Sequence, residues 1–157
     1  MSNELMIRKQ SACTVRPPRP EDLGRMAELA GQLGYKCSAE QVENRLRQMQ
    51  NGPYAFYVAE LPDGQVAGWI GVYIFRSLEL DAFAEINGLV VDENNRSCGI
   101  GKLLLDAAEE WARSMGSEYF SVRTNSIRDR AHRFYTNNGF GLVKTQKVFR
   151  KPLGSIA

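Results

Sequence analysis

The sequence predicts a mixed α/β domain with a sheet covered by helices. Three features carry this reading: runs of β-rich residues alternate with amphipathic helical patterns, a strong turn joins two of the β-rich runs, and a glycine-spaced turn separates an apolar strand from a helix. The chain has 157 residues, about the length of one domain. Residues 1–12 are polar and without period and read as a flexible leader, which leaves residues 13–157 as a single domain.

Thr14 to Arg16 reads as a short first strand, ended by Pro17, Pro18 and Pro20. Leu23, Met26, Ala27, Ala30 and Leu33 then fall at helical spacing, with Gly34 as the stop. Ser38 and Gln41 have capping-box spacing, and Val42, Leu46 and Met49 mark one face of a second helix. Two β-rich runs follow, Ala55 to Glu60 and Gln65 to Phe75. Pro62-Asp63-Gly64 joins them into a hairpin.

A third β-rich run, Phe83 to Val91, contains Asn87-Gly88. That pair suits a hairpin turn, but the arms would be only a few residues long, so one strand with a bulge at Gly88 is preferred. Ile100, Leu103, Leu104, Ala107, Ala108 and Trp111 then repeat at the steps of a buried helix stripe. Tyr119 to Arg123 reads as a strand, Ile127 to Thr136 as a short helix and Phe140 to Phe149 as a last strand.

Composition excludes several classes. Twenty Lys and Arg against eighteen Asp and Glu leave a formal charge of +2, too little to hold nucleic acid through many phosphate contacts. Cys13, Cys37 and Cys98 are widely spaced, and the chain has one histidine, so neither a disulfide framework nor a metal site is expected. No segment has the apolar length of a membrane span or the pattern of a signal peptide, and a cytoplasmic protein is expected.

The stretch Arg96-Ser-Cys-Gly-Ile-Gly-Lys102 asks what it holds. Gly101-Lys102 would close a Walker A loop, but Arg96 stands where its first glycine belongs and Leu103 where its hydroxyl residue belongs. Gly99 and Gly101 also lack the third glycine of a dinucleotide turn, since Leu104 occupies that place. The physics of an anion site remains: glycines allow close backbone approach, and a helix N-terminus carries partial positive charge. Lys102 in the first turn fits that reading, because a cation there needs an anion nearby. A tight connection with exposed basic residues accounts for the same features equally well.

Arg96 to Gly101 also resembles the [QR]-x-x-G-x-[GA] motif of the GNAT superfamily of acetyl-CoA-dependent N-acetyltransferases. The likeness extends upstream to Leu-Val-Val-Asp (residues 89–92), and downstream to the following helix, to Val122–Ser126 and to Phe134–Phe140. It implies a mixed, mostly antiparallel sheet with a splayed parallel strand pair, flanked by helices. Backbone amides of Arg96, Ser97, Cys98, Gly99, Ile100, Gly101 and Lys102 would bind the pyrophosphate of acetyl-CoA, and Leu89, Val90 and Val91 the pantetheine arm. The residue after the motif's arginine is often glycine and here is Ser97.

The resemblance further implies Glu85 as general base, directly or through water, since Phe-Ala-Glu-Ile is similar to the base-bearing segment of histone-acetyltransferase members. Tyr135 would be the general acid beside an inward-packing Phe134, and a backbone N–H of Leu89 or Val90 the oxyanion donor. Asn125 would bond the pantetheine, cap the following helix, or both. At most one of Arg128, Arg130 and Arg133 would reach the 3′-phosphate of CoA. The acceptor would be a small-molecule amine at a mouth carrying Tyr35, Glu79 and Asp81, as in aminoglycoside-modifying and small-amine members. A protein amine acceptor and a non-catalytic acyl-CoA-binding module stand as alternatives, and the resemblance leaves a homodimer open.

Overall fold

The computed structural model describes residues 13–154, so the leader read over residues 1–12 lies outside it. The chain divides after Arg123 into two compact units.

The first unit is built on a five-stranded sheet in the order β1-β2-β3-β4-β5: Thr14–Arg16, Tyr54–Glu60, Val66–Phe75, Phe83–Val91 and Phe120–Val122. The first three pairings are antiparallel and β4–β5 is parallel. The two parallel strands are joined by helix α3, Ile100–Ser114, because a parallel connection must cross over and return. The expected mostly antiparallel sheet with one parallel pair is what the chain forms.

Helix α1 (Leu23–Gln32) and α2 (Ala39–Met49) precede β2. The capping box read at Ser38 forms both of its bonds: Gln41 N–H donates to Ser38 Oγ at 3.1 Å and Ser38 N–H donates to Gln41 Oε1 at 2.9 Å. In the hairpin turn Gly64 takes a left-handed φ of 87°, and Gln65 N–H donates to Asp63 Oδ1 at 2.9 Å.

Adjacent strand residues face opposite sides of a sheet, which places the helices. Trp69 Nε1 donates to the Met26 carbonyl of α1 at 3.1 Å, whereas a methyl added at Gly68 would sit 3.1 Å from Leu104 of α3. The two helices therefore cover opposite faces. Against α1, Met26, Leu29, Val58, Val66 and Val90 form a buried cluster, with Leu23, Leu33, Val42 and Trp69 packed around it. Each such side chain contributes about 1.5–3 kcal/mol on burial. The other face buries Leu104, Leu105, Ala108 and Ala112 from the α3 stripe.

Two buried aspartates tie this frame together. Asp22 receives Arg16 Nη1 at 2.7 Å and the Arg19 N–H at 2.6 Å, and Arg16 also reaches Glu60 at 2.5 Å. Asp92, at the end of β4, receives Arg25 Nη2, Gln32 Nε2 and Asn95 Nδ2, each at 3.0 Å. The Arg16 hydrogen bond lowers the pKa of Asp22 despite burial. At Asp92 burial works against the charge, but the bonds from Gln32 and Asn95 and the Arg25 guanidinium prevail and lower its pKa as well.

The second unit holds helix α4, Asp129–Asn137, whose Tyr135 packs edge-on against Phe134 and Phe140 at ring-centroid distances of 5.2 and 5.3 Å. The strand expected over Phe140–Phe149 does not form: residues 140–154 carry no regular secondary structure, and Leu142, Val143, Val148 and Phe149 are exposed. A strand needs a neighbour to satisfy its backbone, and this segment pairs with none among the described residues. No helix among the described residues is long and apolar enough to cross a membrane.

Both aspartates have folded pKa values below the ordinary 3.8, so their stabilisation is present above pH ~4 and is lost as pH falls through the folded values. Asp92→Asn should destabilise the protein at pH 7 by about 3 kcal/mol, with the gap to the parent narrowing below pH ~4. Urea unfolding at pH 7 and pH 3 measures both.

Candidate active site

The site grows from an interruption in β4. Gly71 pairs with Gly88, but Val72 pairs with Ile86, so Asn87 is the extra residue of a bulge. The bulge lies one position before Gly88, where it was expected. Gly88 is glycine for a different reason: an added methyl would sit 2.8 Å from the Trp69 ring. Gly71 likewise leaves room for the Asn87 carboxamide and the Phe56 ring, which a methyl would meet at 2.7 Å.

The parallel β4–β5 ladder joins Ala84 to Phe120, Glu85 to Ser121 and Ile86 to Val122, and stops at the bulge. Beyond it Leu89, Val90 and Val91 pair with Ile70, Trp69 and Gly68 of β3 on one edge only. On the other edge no strand pairs with them among the described residues. The parallel pair thus parts at the bulge; past it the backbone of Leu89 and Val91 faces the unpaired edge, where the Val91 carbonyl accepts from Arg96 Nε at 3.3 Å.

The turn follows at once. Asp92 anchors its start to α1, and Gln32 Oε1 accepts the Glu93 N–H at 3.0 Å. Arg96 is extended, Ser97 takes φ 62° and Gly99 φ 80°, so left-handed residues turn the chain directly before α3. Leu103 N–H donates to the Gly99 carbonyl, while Ile100, Gly101 and Lys102, as the first residues of a helix, have no intrahelical acceptor. A bend of this kind concentrates N–H groups toward an anion. Lys102 pairs with Asp106 at 2.9 Å, so its charge has a protein partner and does not by itself call for a ligand. Cys98 is buried, which leaves only its backbone for binding and suits a thiol without a chemical role.

Glu85, one residue before the ladder stops, has its side chain 5% exposed. Its Oε1 accepts from Arg123 Nε at 3.0 Å and its Oε2 from the Tyr73 hydroxyl. Arg123 lies over the Phe75 ring at 5.4 Å, and Tyr73 stacks on Tyr54 at 5.6 Å. No motif or periodicity in the sequence marks Tyr73 or Arg123 as a site residue. Their only signal is cross-strand register, which places Tyr73 directly opposite Glu85.

In the second unit, burial pushes the Tyr135 phenol up to about 12 and Arg128 works against that shift, so the hydroxyl holds its proton at neutral pH. Asn125 does not cap α4, whose N-cap is Arg128; its Oδ1 instead accepts the Ile127 N–H at 3.2 Å in a turn before the helix. Arg128, Arg130 and Arg133 are all exposed. Tyr35, Glu79 and Asp81 are exposed in the first unit, Tyr35 after α1 and the two carboxylates in the β3–β4 connection.

A sheet that opens at a bulge, with an amide-lined turn leading into a crossover helix, defines the chain as a mixed α/β domain. The chain belongs to the acetyltransferase (GNAT) family, whose sequence model matches residues 25–140. It is 26% identical over 156 residues to the aminoglycoside N(6′)-acetyltransferase type 1 of Klebsiella aerogenes, with 91% of this chain and 99% of that protein covered. It is 43% identical over 68 residues to an uncharacterised N-acetyltransferase of Bacillus subtilis. That match covers 43% of this chain and 47% of the relative, so the chain spans about half of that relative's length. Among solved structures, the aminoglycoside N-acetyltransferase AAC(6′)-Iy in complex with CoA shares the fold at a TM-score of 0.77 and 18% identity, covering 88% of this chain and 94% of that one.

Serine at φ 62° pays a steric cost that glycine avoids. Ser97→Gly should therefore leave the fold intact and stabilise it by about 1 kcal/mol, less the entropy glycine loses on folding. Equilibrium denaturation decides this, and a destabilised variant would show that the Ser97 side chain supports the turn.

Proposed function

We propose that this protein is an acetyl-CoA-dependent N-acetyltransferase that acetylates a primary amine of a small molecule by direct attack within a ternary complex. The observation that carries the reading is the coincidence of the open β4 edge at Leu89–Val91 with the left-handed turn at Ser97 and Gly99. Family membership and the printed names of the relatives support it.

Acetyl-CoA, when bound, supplies an activated acyl group. The backbone of Leu89, Val90 and Val91 pairs with the amides of its pantetheine arm, and the N–H groups from Arg96 to Lys102 receive its pyrophosphate. Phe134 and Asn125 complete the cofactor set by their motif positions. Glu85 takes the proton that the amine must lose before or during attack. The N–H of Leu89 or Val90 meets the carbonyl oxygen as it gains negative charge. Tyr135, protonated at neutral pH, supplies the proton to the departing sulfur.

Tyr35, Glu79 and Asp81 would draw a cationic acceptor to the mouth by charge and stacking. The aminoglycoside acetyltransferase relative points to the same class of polycationic small molecule.

A thiol-release assay with acetyl-CoA against aminoglycosides, polyamines, amino acids and lysine peptides tests the reading. Turnover should appear on one class of small cationic amine. Glu85→Gln should lower kcat by at least tenfold and shift the pH dependence of the rate, and Tyr135→Phe should slow turnover more than it weakens acetyl-CoA binding. Acetyl-CoA binding without turnover on any amine would instead mark a binding module.

A further inference from the structure

We propose that Tyr73 is the proton relay between the acceptor amine and Glu85, so that the base acts through a phenol and not by direct contact. The inference rests on the proposed function above and adds a catalytic residue to it.

The geometry explains why a relay is needed. Glu85 is almost fully enclosed, and both of its oxygens already face donors: Arg123 Nε on Oε1 and the Tyr73 hydroxyl on Oε2. The Tyr73 side chain is only half-buried. Its hydroxyl spends its single proton on Glu85, which leaves the phenolic oxygen lone pairs free to accept from a group arriving from outside. Tyr73 thus links the buried carboxylate to a side chain that is itself only half-buried.

Its position is fixed from three sides. Cross-strand register sets Tyr54, Tyr73, Glu85 and Ser121 in one row across β2, β3, β4 and β5. The Tyr54 ring lies nearly parallel to that of Tyr73, at 18° between planes. The row lies one residue before the last pair of the β4–β5 ladder, so Tyr73 stands one strand away from where the gap proposed to receive the thioester begins.

The step balances as a double transfer. The amine's N–H bond breaks and its proton forms a new O–H bond at Tyr73, while the original Tyr73 O–H bond breaks and that proton forms an O–H bond on Glu85 Oε2. The amine gains its lone pair, Tyr73 ends as a neutral phenol, and Glu85 ends protonated. Arg123 stays on Oε1 throughout. Burial and the neighbouring Glu85 raise the Tyr73 pKa to about 12, so a free phenolate is not populated at neutral pH and the two transfers must be coupled. The charged and titratable groups around the pair are Arg123 beyond β5 and Tyr54 on β2.

Tyr73→Phe keeps the ring and the stack and removes the relay. With the amine identified by thiol release, kcat should fall by about 100-fold while acetyl-CoA affinity stays within twofold, and the Tyr73→Phe/Glu85→Gln double variant should be no slower than either single one. Turnover of Tyr73→Phe within twofold of the parent overturns the relay while leaving Glu85 as base. An unchanged pH profile in Glu85→Gln overturns the base assignment itself. A second measurement needs no acceptor. In protein labelled at tyrosine 13Cζ, the resonance absent from Tyr73→Phe should move in Glu85→Gln at constant pH, because the acceptor of the Tyr73 hydroxyl has changed. A Tyr73 resonance that Glu85→Gln leaves in place also overturns the proposal.

Discussion

The first unit depends on one backbone event, the extra residue at Asn87. Upstream of it β4 pairs on both edges; downstream it pairs only with β3. Two glycines facing each other across β3 and β4 make room for it, because Gly71 lies under the Asn87 carboxamide and Gly88 under the Trp69 ring. Side chains at either position would push the bulge or the indole away, and Trp69 is also the residue hydrogen-bonded to α1. The opening of the sheet is therefore tied to packing on its covered face.

Charge fixes the two ends of the same strand. At its far end Asp92 gathers Arg25, Gln32 and Asn95, so the turn that follows starts from a point anchored to α1. Nearer its start Glu85 gathers Tyr73 from β3 and Arg123 from just past β5. Buried carboxylates are stable only when their oxygens are occupied in this way. One of these clusters is an anchor with every ligand drawn from the protein; the other reaches a half-buried phenol, which makes it the candidate for proton transfer.

The sequence made local features legible and nonlocal ones not. The helix after Ile100, the Ser38 capping box and the Asp63-Gly64 turn are all read within a few residues, and each forms. The glycine turn was visible too, although the need for left-handed geometry at Ser97 appears only in the backbone. The bulge was displaced by one residue because Gly88 answers to a tryptophan nineteen positions earlier in the chain (88 minus 69). Tyr73 lay hidden because its partner is set by register, which periodicity does not give. Phe140–Phe149 has the residues of a strand but no neighbouring edge, and pairing is what makes a strand.

The claim at the centre of this account is that the open edge of β4 and the turn after it form one binding surface for acetyl-CoA. Amide NMR of the labelled protein titrated with acetyl-CoA tests it most directly. The account predicts that the largest shifts fall on Leu89–Val91 and Arg96–Lys102 together. Binding that moves neither segment, or only one of them, would contradict it.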